Sequence, residues 1–201
     1  MSSQSAGGIS SVCVYCASST EAPASFLAAA RAFGELLARE GLTLVYGGGG
    51  VGLMGACAAA AYGAGGRVMG VIPDFLIGAE RPLASVETVV VRSMHERKMM
   101  MFEAADAFAV LPGGIGTLEE AIELLSWRRL GLHAKPIVFL DLEGYWTPLF
   151  ALFAHIRDNR LIPPEFDDCW RAVDNVAAIL PALAGAPRTA FVTPPGVERF
   201  T

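Results

Sequence analysis

Residues 107–120 read AFAVLPGGIGTLEE, and this stretch contains the pattern from which the fold can be predicted. Residues 107–111 form a continuous apolar run, which is typical of a parallel strand whose two faces are both covered by helices. The glycines after this run predict a tight turn, and residues 118–130 then follow a helical pattern. The stretch therefore predicts one strand–turn–helix unit of an α/β domain.

The same alternation of short apolar runs and helical patterns recurs along the rest of the chain. The predicted strands are residues 9–16, 42–46, 67–72, 86–91, 107–111, 136–140 and 170–173. The predicted helices are residues 24–40, 53–64, 94–105, 118–130, 145–159 and 176–183. This order predicts a single doubly wound, Rossmann-like α/β domain over residues 9–184, with a mostly parallel sheet and helices on both faces. We expect residues 1–8 to be a flexible N-terminus and residues 185–201 to be an irregular C-terminal tail.

Composition excludes several classes of protein. The 201 residues are 53% hydrophobic and 17% charged with a formal net charge of −5, which argues against disorder, nucleic-acid binding and anionic membranes. Residues 41–66 carry no charge, but their ten glycines would break a membrane-spanning helix. Cys13 and Cys16 have a CxxC spacing without a second ligand pair, so we expect buried thiols and no metal. Residues 1–8 lack a secretory pattern, which predicts a cytoplasmic protein.

One unusual turn is residues 46–55, which read YGGGGVGLMG after a predicted strand. Glycines at such a turn let the backbone approach a ligand and direct amide groups at an anion. The candidate residues of this secondary glycine turn are Gly48, Gly49, Gly50 and Gly52. The turn also matches the dinucleotide-binding spacing, but weakly, because that motif normally occupies the first strand–helix turn. Close packing of helix on sheet is the alternative, and we expect it to explain only one or two of the glycines.

The second unusual turn lies within residues 111–120, where Gly113 to Thr117 predict another group of backbone donors. Two interpretations of Glu120 stay open. Thr117 is a residue type favoured as a helix N-cap, and Glu120 three residues later would complete a capping box. Alternatively, because a carboxylate repels phosphate, Glu120 would face the sugar or base of a bound nucleotide.

Residues 93–102 read SMHERKMMMF and predict a helix that begins with a capping box of Ser93 and Glu96. Arg97 and Lys98 then lie in the early turns, where the helix dipole disfavours cations. A bound anion would remove this conflict, so Arg97 is a candidate partner for a phosphate or a transition state. A solvated basic pair is the alternative.

These motifs resemble the Lonely Guy family of cytokinin-activating phosphoribohydrolases, whose members are often labelled lysine decarboxylases. The family pattern Pro-Gly-Gly-x-Gly-Thr-x-x-Glu is matched in full by residues 112–120, and Met-His-Glu-Arg-Lys is matched by residues 94–98. The resemblance extends over residues 11–164. The decarboxylase label has no support in the residues, because nothing marks a pyridoxal-phosphate lysine.

The resemblance implies hydrolysis of the N-glycosidic bond of N6-substituted adenosine 5′-monophosphates, with AMP as a further candidate, by a homodimer without cofactor. It implies that Arg97 and Glu120 are the catalytic pair. The implied substrate-binding residues are Glu80, Lys98, Gly113, Gly114, Ile115, Gly116, Thr117, Leu118, Glu119 and Ser126. Glu120 would stabilise an oxocarbenium-like sugar and deprotonate water, whereas Arg97 would either pair with Glu120 or contact the ribose phosphate.

Two other functions are weighed against this one. A non-catalytic carrier of a nucleotide or a molybdenum-cofactor-like ligand would use the glycine turns without the chemistry. An NAD-dependent oxidoreductase would use the dinucleotide-like spacing. The intact pair of Arg97 and Glu120 favours the enzyme.

Overall fold

The computed structural model describes residues 8–187, which form one sheet with helices on both faces. The strands are β1 Ser11–Tyr15, β2 Thr43–Tyr46, β3 Val68–Pro73, β4 Glu87–Val91, β5 Ala107–Val110, β6 Ile137–Leu140 and β7 Arg171–Val173. The helices are α1 Ala24–Arg39, α2 Gly52–Gly63, α3 Ile77–Glu80, α4 Met94–Ala104, α5 Ile115–Arg129, α6 Thr147–Asp158 and α7 Ile179–Gly185.

The seven strands pair in the order β4-β3-β2-β1-β5-β6-β7, and every pairing is parallel. Strand β1 lies between the two halves, since Val12 is in register with Leu44 of β2 on one side and Ala107 of β5 on the other. The strand order changes direction at β1 and β5. Open α/β sheets bind ligands beyond the carboxyl ends of their strands at this point.

The core consists of two apolar layers, one on each face of the sheet. Val12 and Val14 of β1 pack with α1, α2 and α7, whereas Cys13 and Tyr15 pack with α4, α5 and α6. Successive side chains of a strand point to opposite faces, so a strand buried on both faces has a continuous apolar sequence. The predicted doubly wound α/β fold is confirmed.

The sequence predictions differ from the structure at a few element ends. Helix α5 begins at Ile115, three residues before the predicted start, and the short helix α3 was not predicted. Residues 1–7 and 188–201, which include most of the predicted flexible N-terminus and irregular tail, lie outside the described residues, and Gly185 is the last residue of α7. The predicted boundaries of the catalytic domain stay a prediction.

Two smaller expectations concern the cysteines and the uncharged stretch. Cys13 and Cys16 are buried free thiols, as predicted, and Cys57 and Cys169 are buried free thiols as well. Burial raises the pKa of Cys57 to about 12. Across residues 8–187, no helix combines the length and the apolar character that crossing a membrane requires.

Candidate active site

A cleft of about 260 Å³ opens where the carboxyl ends of β1, β2 and β5 meet. It is lined by residues 14–19 from β1 and the loop after it, by Gly47 after β2, and by the start of α5. The predicted site residues that line the cleft are Glu80, Arg97, Gly114, Ile115, Gly116, Thr117, Glu119 and Glu120. The strand order therefore brings together residues that lie far apart in the sequence.

The start of α5 offers free backbone donors to this cleft. Gly114 is the N-cap and has no side-chain cap, because it lacks a side chain. The first intrahelical bond runs from the amide of Leu118 to the Gly114 carbonyl at 3.0 Å, and the amides of residues 114–117 have no acceptor among the described residues. A Cβ at Gly114 or Gly116 would meet nothing within 4 Å, so the loop is open on this side. Such a helix start is suited to an anion.

Of the two interpretations of Glu120, the capping box with Thr117 is wrong. Helix α5 already begins at Ile115, so Thr117 is its third residue and lies buried against Gly113. The helix begins three residues before its predicted start because Gly114 has the extended backbone of an N-cap, so Ile115 is already the first helical residue. Glu120 therefore has no capping role and lies in the second turn of the helix.

The carboxylate of Glu120 is desolvated but still unpartnered. No side chain or amide among the described residues donates a hydrogen bond to it. Burial raises the pKa of Glu120 to about 7, and the positive charge of Arg97 opposes this rise. A carboxyl group with a pKa near neutrality is suited to accept a proton from water.

Arg97 is held by backbone oxygens at the inner wall of the cleft. Its side chain is 6% exposed, its Nη2 donates to the Gly47 carbonyl at 2.8 Å, and its Nε donates to the Val71 carbonyl at 3.2 Å. The alternative of a solvated basic pair is wrong for this residue. Its Nη2 lies 3.6 Å from Glu80 Oε2, and no ion pair with Glu120 forms within the described part of the chain.

Glu80 is a second carboxylate with a raised pKa in the cleft. Its Oε2 is buried and has no hydrogen-bond partner among residues 8–187. Burial raises its pKa, while Arg97 acts in the opposite direction. Arg97 therefore shares the cleft with two carboxyl groups, of which Glu80 is the nearer one.

The start of α4 partly confirms the predicted cap. Ser93 is the N-cap, and its Oγ accepts a hydrogen bond from the Glu96 amide at 3.1 Å. The Glu96 carboxylate accepts a hydrogen bond from the amide of Arg92 at 2.7 Å, and not from the amide of Ser93 as a capping box requires. These bonds fix the first turn of the helix that carries Arg97.

The glycine turn between β2 and α2 is packed against protein atoms. A Cβ at Gly47 would overlap Nη2 of Arg97, and a Cβ at Gly50 would overlap the Arg81 carbonyl. The Gly50 amide already donates to the Glu80 carbonyl at 2.7 Å. Close contacts with the rest of the chain are also made by Gly48, Gly49, Gly52 and Gly55.

The expectation that packing explains only one or two of these glycines is therefore wrong. Gly47 lines the cleft, whereas the four candidates do not: Gly48, Gly49, Gly50 and Gly52. Absence of side chains in this turn leaves room for Arg97 and for the segment that carries Glu80. The glycines of the dinucleotide-like spacing, at positions 50, 52 and 55, are likewise explained by close packing against the rest of the chain.

The remaining predicted residues do not line the cleft. Lys98 Nζ bonds to Glu119 Oε1 at 2.6 Å and to Glu123 Oε2 at 2.9 Å, which links α4 to α5. Burial alone would lower the pKa of Lys98, but its hydrogen bonds to Glu119 and Glu123 raise it. The residues that do not line the cleft are Lys98, Gly113, Leu118 and Ser126, and Ser126 is exposed on α5.

Sequence reasoning missed the contribution of β1. Residues 14–19 line the cleft, and their signal was the polar pair Ser18 and Ser19 shortly after an apolar strand. Met54, Met94 and Met101 also line it and supply an apolar wall. Methionines are common in packed cores, so their residue type alone gives no sign of a ligand.

Comparisons with known proteins identify relatives of the chain. A family described as "Possible lysine decarboxylase" matches residues 54–183. A protein of Oryza sativa subsp. japonica named "Probable cytokinin riboside 5'-monophosphate phosphoribohydrolase" is 47% identical over 148 residues, which are 73% of this chain and 66% of that protein. An Arabidopsis thaliana cytokinin riboside 5'-monophosphate phosphoribohydrolase is 42% identical over 154 residues, which are 76% of this chain and 71% of that protein.

A solved structure supports the fold. The molybdenum cofactor carrier protein of Chlamydomonas reinhardtii superposes with a TM-score of 0.65 at 21% identity, covering 86% of this chain and 94% of that chain. At this identity the likeness concerns the fold alone. The family match, the sequence relatives and the full nine-residue pattern of residues 112–120 lead to one conclusion: the chain belongs to the Lonely Guy family, which includes the cytokinin riboside 5′-monophosphate phosphoribohydrolases.

Proposed function

We propose that the chain hydrolyses the N-glycosidic bond of N6-substituted adenosine 5′-monophosphates and releases the free base and ribose 5-phosphate. The observation that carries this proposal is the carboxylate of Glu120, unpartnered and with a pKa of about 7, in one cleft with Arg97 and the open start of α5. The names of the sequence relatives point to the same reaction. No lysine of residues 8–187 lines the cleft, so the family description as a decarboxylase has no support there.

The free amides of residues 114–117 would bind the 5′-phosphate. Binding energy from the phosphate would then position the ribose beside Glu120, although the phosphate itself does not react. Arg97 carries a positive charge in the same cleft, where it can contact the ribose phosphate or balance the charge on Glu120.

The reaction separates the base from the sugar. The C1′–N9 bond breaks, its electron pair leaves with the base, and positive charge develops on the ribose. The ionised Glu120 stabilises this charge and accepts a proton from the water whose oxygen bonds to C1′. The departing base takes up a proton from solvent and Glu120 releases the proton that it accepted from water, so the enzyme is restored and the products are neutral base and ribose 5-phosphate. The proposal needs no cofactor, and it includes a homodimer in the cytoplasm.

The experiment compares AMP, its N6-isopentenyl derivative and adenosine as substrates, with chromatographic detection of the free base. We expect both nucleotides to be hydrolysed. Adenosine should be a far poorer substrate, because each lost charge-assisted hydrogen bond to phosphate is worth roughly 1.5–3 kcal/mol. Binding of nucleotides without release of base would instead support a carrier, and equal kcat/KM for AMP and adenosine would contradict phosphate binding at α5.

A further inference from the structure

The turn after β6 is fixed by its own backbone and by Asp141. The carboxylate of Asp141 accepts hydrogen bonds from the amides of Trp146 and Thr147. The chain passes through positive φ angles at Glu143 (56°) and Gly144 (73°), which turn it sharply before Tyr145. Three hydrogen bonds to Asp141, one of them from the Thr147 hydroxyl, hold this unusual backbone in one conformation.

This turn places Tyr145 against the loop that leads into α5. Its ring packs edge to face on Phe26 of α1 at 5.3 Å and on Trp146 at 4.9 Å. Its hydroxyl donates a hydrogen bond of 2.6 Å to the carbonyl of Gly113. Tyr145 does not line the cleft, so any effect on a ligand must pass through Gly113.

The bond to Gly113 determines where the next amide points. A trans peptide is planar, with its C=O and N–H on opposite sides. Holding the Gly113 carbonyl towards Tyr145 therefore directs the Gly114 N–H away from Tyr145. Glycine stands on both sides of this peptide, and glycine rotates easily, so the residues themselves do not fix its orientation.

We infer that Tyr145 is a positioning residue that orients the Gly113–Gly114 peptide so that the Gly114 amide is available to the 5′-phosphate. This inference rests on the proposed function. It assigns to the turn after β6 a role in selecting phosphorylated substrates, and it separates this role from the chemistry at Glu120. The hydroxyl, not the aromatic ring, is the group that acts.

The test uses the full-length Tyr145→Phe variant, which keeps the ring contacts and removes only the hydroxyl. We expect KM for AMP and the inhibition constant of ribose 5-phosphate to rise about five- to tenfold, the effect of one hydrogen bond. The value of kcat should change less than twofold, and kcat/KM for adenosine should stay the same. Tyr62→Phe, on an exposed tyrosine of α2, is the matched control and should leave every value unchanged.

Several outcomes would overturn the inference. Unchanged inhibition by ribose 5-phosphate in Tyr145→Phe does so directly, and so does an equal loss of kcat/KM for AMP and adenosine, which indicates a general packing role. If the wild-type protein hydrolyses neither AMP nor its N6-isopentenyl derivative, the proposed function fails. Calorimetry of ribose 5-phosphate binding to wild type and to Tyr145→Phe then tests the inference independently of the reaction. Binding that is about five- to tenfold weaker in the variant supports the inference. Equal binding by the two proteins, or no binding by either of them, overturns it.

Discussion

The carboxylate of Glu120 gains nothing from helix capping, so its removal tests the chemistry alone. Glu120→Gln keeps the shape of the side chain but cannot ionise or accept a proton. We expect kcat for AMP to fall on the order of 10²–10⁴-fold. Wild-type turnover by a folded Glu120→Gln variant would remove Glu120 from the mechanism.

We expect the Glu120→Gln variant to gain folding stability although it loses activity. The pKa of Glu120 is raised from 4.5 to about 7, so ionisation of this group destabilises the folded protein as pH rises between these values. Glu120→Gln cannot ionise and should therefore be more stable than wild type at pH about 8, by on the order of 1–3 kcal/mol. Thermal melting at pH about 8 and pH about 4 measures this difference, which should vanish at the lower pH.

The pH dependence of the reaction reports the same carboxyl group. If ionised Glu120 is required, kcat/KM for AMP should fall about tenfold per pH unit below its pKa of about 7. Rates measured from pH about 5 to 9 would show this limb. A profile that is flat down to pH about 5 would assign the essential base to another group.

The position of the Arg97 guanidinium depends on the absence of a side chain at Gly47. A Cβ at this position would overlap Nη2 of Arg97 and force the guanidinium from its place. We expect Gly47→Ala to lower kcat for AMP at least about tenfold, since a small displacement of a charged group in a site is costly. Gly63→Ala, where a Cβ meets nothing, is the control and should keep full activity.

At the scale of elements, Lys135 fixes the end of α4. Its Nζ donates to the Phe102 carbonyl at 2.7 Å and lies 4.0 Å from the centre of the Phe102 ring. Lys135→Met should lower the free energy of unfolding by roughly 1.5–3 kcal/mol, the range for a hydrogen bond from a charged group. Urea denaturation measures the loss, and Arg31→Met on the exposed face of α1 should change it far less. An equal stability of both variants would contradict this role.

The strands and turns also show which structural features can be predicted from sequence patterns. Apolar runs such as residues 107–111 identify buried strands, because a strand that is covered by helices on both faces has apolar side chains on both. The two glycine turns look alike in sequence but differ in space. The turn at residues 47–52 is packed against Arg97 and Arg81, whereas Gly114 and Gly116 face open space. This difference arises from segments distant in the chain, which no local pattern encodes. The contact of Tyr145 with Gly113 was missed for the same reason.

At the scale of the whole molecule, we expect a homodimer. The described surface exposes large apolar side chains on β4, α4 and α5, namely Val90, Met94, Ile115 and Ile122. Exposed apolar side chains of this kind are often covered in symmetric assemblies. Light scattering at micromolar concentration should give about twice the chain mass of 21.2 kDa. A mass of one chain would contradict the dimer without affecting the assignment of Glu120.

The main-chain carbonyls that hold Arg97 affect how new substrate preferences can arise. Two of the oxygens that hold its guanidinium belong to the main chain, at Gly47 and Val71. Substitution cannot remove a main-chain oxygen, so a library that randomises Met54, Met94 and Met101 retains both acceptors. The apolar wall can therefore be reshaped while these two main-chain oxygens still hold the arginine. In directed evolution of this protein, substrate range should change more readily than reaction type.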